Sequence, residues 1–102
     1  MGQRGTRVSF ERSGGFGGVT LSKELDTKEL DEDEAAQLEA LLDRVDFDAA
    51  PGPAPRGGAD RFQYDLTVER GGRRHTLTRS EGQLTPELKE LVERLQDLAR
   101  RR

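Results

Sequence analysis

The run Phe62-Gln63-Tyr64-Asp65-Leu66-Thr67-Val68-Glu69-Arg70-Gly71-Gly72-Arg73-Arg74-His75-Thr76-Leu77 leaves this chain few ways to fold. Phe62, Tyr64, Leu66 and Val68 alternate with polar residues at the period of a strand buried on one face. Two glycines follow, and glycine can take the positive φ that both central positions of a type I′ turn demand. With a two-residue turn at Gly71-Gly72, Val68 faces His75 and Leu66 faces Leu77, so the apolar residues of both strands fall on one side. A hairpin of this kind needs a covering layer for its apolar face.

The rest of the chain supplies that layer. Arg7-Val8-Ser9-Phe10-Glu11 alternates with Val8 and Phe10 on one side, Ser13 to Gly18 interrupts with four glycines, and Val19 to Ser22 resumes the alternation. This predicts a first hairpin with a glycine-rich tip. Asp31 and Glu34 have the spacing of a capping box, and Leu38, Leu41, Leu42 and Val45 recur at i, i+3, i+4, i+7, which predicts a helix from about Glu32 to about Val45. Between 49 and 60 the chain turns to Ala, Pro and Gly, with Pro51, Pro53 and Pro55 removing amide donors, and a loop is expected. Thr85 stands as a cap before Pro86, and Leu88, Leu91, Val92, Leu95 and Leu98 stripe a second helix. The expected fold is α+β in the order ββαββα: a four-stranded antiparallel sheet from two hairpins, with one or two helices packed on one face. Residues 1–102 read as a single domain, with 1–5 disordered.

Composition narrows the function classes. With 36% charged residues and 31% hydrophobic ones, the 102-residue chain supports one modest core under a charged surface. A formal net charge of −3 argues against a nucleic-acid partner, which would draw its affinity from excess Lys and Arg. No apolar run is long enough to span a bilayer and no apolar h-region follows Met1 to Gly5, so a cytoplasmic protein without a membrane partner is expected. Charge is segregated along the chain. Residues 24–48 hold eleven acids against Lys28 and Arg44, while Arg70, Arg73, Arg74 and Arg79 flank the second turn. Either a solvated face or the steering of an oppositely charged partner accounts for this.

The chemistry-bearing residues argue against an enzyme. There is no cysteine and only one histidine, so no zinc ligand set of the usual type exists. His75 falls opposite Val68 on the apolar side, where a partly packed ring is expected. No G-x-S-x-G elbow is present for a serine nucleophile, and the glycine-rich stretches lack the Lys-Ser/Thr ending of a phosphate loop. Positive φ is the expected use of Gly14, Gly15, Gly17, Gly18, Gly71 and Gly72. No cofactor, metal site or catalytic residue is expected.

The run GGADRFQYDLTVERGGRRH from Gly57 to His75, with FERSGG at Phe10 to Gly15 and Asp46-Phe47 after the first helix, resembles the emfourin family of proteinaceous protease inhibitors. The resemblance implies a partner, a thermolysin-like (protealysin-like) zinc metalloprotease, and blockage of its active-site cleft. Two loops qualify for that task, since a preorganised loop binds at lower entropic cost than a floppy one. The first is the tip formed by Gly14, Gly15, Phe16, Gly17 and Gly18, whose one aromatic could enter the bulky apolar subsite that the resemblance implies, or could fold back onto the sheet. The second runs from Pro51 to Asp60, where Pro55, Arg56, Gly57, Gly58 and Asp60 could lie along a cleft and the Asp60 carboxylate could reach zinc. Steric occlusion is the favoured mode. The competing readings are a non-inhibitory interaction module using the sheet edge or the acidic helix, and a small-ligand binder using the layer between helices and sheet.

Overall fold

The computed structural model describes residues 5–14, 18–50, 52 and 62–101. Strands β1 (Arg7–Ser13) and β2 (Val19–Asp26) precede helix α1 (Glu32–Asp43); β3 (Gln63–Arg70) and β4 (Arg73–Ser80) precede helix α2 (Pro86–Arg100). Single 3₁₀ turns follow β2 (Thr27–Glu29) and β4 (Glu81–Gln83). The sheet is antiparallel throughout, in the order β2-β1-β3-β4. The fold is therefore the expected ββαββα arrangement of the α+β class.

Register explains which face is buried. Val8 pairs with Leu25 on one side and Val68 on the other, and Val68 pairs with His75; the next inward row is Lys23, Phe10, Leu66, Leu77. These rows meet Leu38 and Leu42 of α1 and Leu88, Leu91, Val92, Leu95 and Leu98 of α2 in one core, so both helices cover the same face. Odd-numbered residues such as Ser9, Glu11, Asp65 and Thr67 turn to the opposite, polar face, where Thr78 Oγ1 donates to Asp65 Oδ1 at 2.6 Å. Both turn glycines take positive φ, Gly71 at 56° and Gly72 at 79°, as the type I′ hairpin requires. Gly14 does not, and among the described residues of the first hairpin only Gly18 does, at 88°.

The helix ends follow the sequence signals with one difference. Thr85 accepts a hydrogen bond from Leu88 N–H, and Asp31 accepts one from Glu34 N–H at 2.8 Å. The Glu34 carboxylate turns instead to Arg101 at the end of α2, which clips the two helices together. β2 runs four residues beyond Ser22 because Leu25 restores the apolar face, so part of the acidic segment belongs to an edge strand. After α1, Asp46 Oδ1 accepts from Asp48 N–H at 3.0 Å, and that turn delivers Phe47 to stack on His75 with centroids 5.5 Å apart.

A polar knot closes the end of the sheet that carries the Gly71-Gly72 turn. Thr6 Oγ1 donates to Glu39 Oε2 at 2.7 Å, Thr27 Oγ1 to the same oxygen at 3.3 Å, and Arg70 Nη2 to Glu39 Oε1 at 2.6 Å. Arg70 also reaches Asp43 at 2.7 Å. Partial burial pulls the Arg70 pKa down, and the bonds to Glu39 and Asp43 more than offset it, leaving it raised. Gly5 packs beside this knot, where a Cβ would collide with the Lys28 stem at 2.8 Å. Residues 1–4 of the segment expected to be disordered lie outside the described residues.

Candidate functional site

Strand pairing sets Ser13 beside Val19 and Gln63, and Gln63 beside Ser80. The β1–β2 connection, the segment leading into β3 and the turn leaving β4 therefore share one end of the sheet, opposite the Glu39 knot. Both loops singled out from the sequence depart from this end.

The necks of both loops are fastened. Gly14 N–H donates to Gly18 O at 3.3 Å, and the positive φ of Gly18 turns the chain back into β2. The proline-rich loop is held by residues of β4 and the turn after it. Arg79 Nη2 donates to Ala49 O at 2.9 Å and Gln83 Nε2 to Gly52 O at 2.6 Å. At the other end of the loop, Glu81 N–H donates to Phe62 O at 3.0 Å, and Phe62 N–H donates to Glu81 Oε1 at 3.4 Å. Gln83 is oriented in turn, because its Oε1 accepts from Ser80 N–H at 2.9 Å and Ser80 Oγ at 3.1 Å.

Beneath the two necks lies an arginine. Arg12 sits in the inward row with Leu21, Tyr64 and Arg79. Its guanidinium lies 4.4 Å from the centroid of the Phe62 ring. Nε donates to Thr20 Oγ1 at 3.2 Å and Nη1 to Gln96 Oε1 on α2 at 2.7 Å. Thr20 is the extra residue of a bulge between Arg12 and Ser13, and its hydroxyl donates back to Arg12 O at 3.1 Å. Tyr64, whose ring stacks on Phe10 at 6.1 Å, completes the floor. Burial pushes the Tyr64 phenol pKa up, the Glu81 carboxylate adds to the rise, and Arg12 opposes it.

Of the residues proposed from sequence, Gly14 and Gly18 form the first neck. Gly15, Phe16 and Gly17 lie outside the described residues, as do Pro55, Arg56, Gly57, Gly58 and Asp60. Tyr64 is in the core, whereas Phe62 is half-buried at its margin under Arg12. Sequence reasoning missed Arg12, Glu81 and Gln83, and it grouped Arg79 with the arginines of the Gly71-Gly72 turn, whereas Arg79 pairs with Tyr64 near the opposite end of the sheet. Parity alone marks Arg12, since it continues the inward series Val8, Phe10, and the Ser80-x-x-Gln83 spacing marks a capping box after β4. His75 lies rows away from this end, against Phe47. Among the described residues no group of three His, Asp or Glu side chains could hold a metal ion, and no helix is long and apolar enough to cross a membrane. A groove of about 510 Å³ between α1 and α2 is rimmed by Arg44, Glu90, Glu93, Arg94 and Asp97. Alternating charges do not make the apolar floor that a small ligand needs.

The sheet under two helices, with the necks of two loops hydrogen-bonded at one end, defines a small α+β domain. Residues 10–96 match the family described as Emfourin, and the chain belongs to that family. Membership points to a protease-inhibitor role, and to a binding protein rather than a catalyst. No curated protein and no solved structure gives a significant match to the chain.

Proposed function

We propose that the protein inhibits a thermolysin-like zinc metalloprotease by seating the Ser13/Gln63 end of its sheet in the active-site cleft. The observation that supports this reading is that the necks of both candidate loops lie at one end of the sheet, held by hydrogen bonds at Gly14–Gly18 and at Ala49, Gly52 and Phe62. Loops fixed at their bases lose less conformational freedom on binding, which leaves more of the interaction energy as affinity. Phe16 is the proposed apolar plug of the first loop, and the segment containing Pro55, Arg56, Gly57, Gly58 and Asp60 the proposed second contact. Occlusion is the proposed mode; the single histidine, His75, stacks on Phe47 away from this end.

Titration of a thermolysin-like protease with the purified protein tests the reading. Turnover should fall to near zero at about one equivalent, with serine and cysteine proteases unaffected. Full activity of several thermolysin-like enzymes at excess protein refutes it, and binding without loss of turnover would favour a non-inhibitory interaction module.

A further inference from the structure

Arg12 occupies a position where the sheet pattern calls for an apolar residue, inward between Leu21 and Tyr64. Among the described residues it forms no salt bridge; its guanidinium is engaged by three neutral partners from three separate parts of the fold. Thr20 belongs to β2 at the first loop's neck, Phe62 ends the proline-rich loop, and Gln96 belongs to helix α2. We infer that Arg12 is a positioning residue that joins the two loop necks and anchors them to α2, so that Gly14, Thr20 and Phe62 keep one fixed relation at the end of the sheet that meets the protease. This rests on the inhibitor reading.

The geometry needs arginine in particular. A guanidinium offers a flat face to an aromatic ring while its N–H groups, fixed in one plane, point to separate acceptors at its edge. Here the face meets Phe62 and the edge meets Thr20 and Gln96, so one planar group sets the Phe62 ring, the bulge and the helix relative to one another. A lysine could place its charge over the ring, but as a point charge it cannot fix the other two directions at once. Gly14 also lies against this joint, since a Cβ built there would stand 3.9 Å from Phe62 Cε1 and 3.6 Å from Thr20 Cγ2.

The test combines inhibition with amide hydrogen exchange in the free protein, for wild type, Arg12→Met and Arg12→Lys. Methionine keeps the length and packing of the stem. Arg12→Met should weaken inhibition of a thermolysin-like protease by about tenfold, equivalent to about 1.4 kcal/mol, and Arg12→Lys should recover part of that loss. Exchange at the Gly14 and Phe62 amides should quicken together, with the α2 core amides and the melting temperature little changed. In a Phe62→Leu background, Arg12→Met should add little further loss, because the arginine acts through the ring. Unchanged exchange at Phe62 overturns the inference, as does wild-type inhibition by Arg12→Met. Faster exchange throughout the sheet with an early melt also overturns it, by showing a general packing role. If wild-type protein inhibits no protease of this class, the function proposed above falls, and the exchange data alone decide whether Arg12 couples the necks.

Discussion

Replacing Glu39 with alanine should be among the most damaging single changes outside the apolar core. Its carboxylate accepts from the Thr6 hydroxyl at 2.7 Å, the Thr27 hydroxyl at 3.3 Å and Arg70 at 2.6 Å, which binds α1 to the start of β1, to the turn after β2 and to the end of β3. Thr6 is 1% exposed, so its hydroxyl would lose its acceptor without gaining water, a cost of about 1–3 kcal/mol. The Arg70 bond contributes less, about 1 kcal/mol, because roughly a third of each side chain remains exposed and solvent screens the pair. Asp43 still holds Arg70 at 2.7 Å, so the guanidinium is not left without a partner. Together Glu39→Ala should cost about 2–4 kcal/mol, a drop in melting temperature of roughly 10–30 °C for a domain of this size. Glu39→Gln preserves an acceptor for Thr6 and should cost about half as much. Urea and thermal unfolding, monitored by circular dichroism, measure both variants. A loss below about 1 kcal/mol for Glu39→Ala, less than the lower limit for one orphaned buried hydroxyl, would refute this account.

Three further outcomes are expected. Leu66, 1% exposed and flanked in the sheet by Phe10 and Leu77, should lose about 2–5 kcal/mol of folding stability on truncation to alanine, and an unfolding midpoint like that of wild type would show that β3 faces the other way. Burial and Glu81 raise the Tyr64 pKa above its ordinary value of 10.0, so the folded state holds the phenol proton more tightly than the unfolded chain does. Stability from this difference is complete below that ordinary value and is lost as pH rises from it to the raised folded value, so Tyr64→Phe should flatten the alkaline decline; an unaltered slope counts against it. Phe16→Ala should weaken inhibition by roughly ten- to a hundredfold, the equivalent of removing one phenylalanine from an apolar subsite, with the melting temperature nearly constant. Undiminished inhibition would move the contact to the proline-rich loop, and an early melt would place the ring in the core.

What could be read from the sequence alone is what depends on neighbours along the chain. Alternation at Tyr64, Leu66 and Val68 with Gly71-Gly72 determined the second hairpin and its register, because side chains of period two and a two-residue turn admit one pairing. Thr85 with Pro86 determined the start of α2, because an orphan helix N–H and a fixed φ are local requirements. The strand order β2-β1-β3-β4 was decided only by folding, when β1 and β3 paired across a separation of 50 to 62 residues, from Ser13–Gln63 to Arg7–Glu69. That pairing puts the necks of the two candidate loops at one end of the sheet and the Glu39 knot at the other. Arg12 shows the same limit most plainly. Its parity is visible in the sequence and Thr20 lies across the same hairpin, but Phe62 and Gln96 come from distant segments that reach it only once β3 pairs with β1 and α2 covers the sheet, and no local pattern encodes such a meeting.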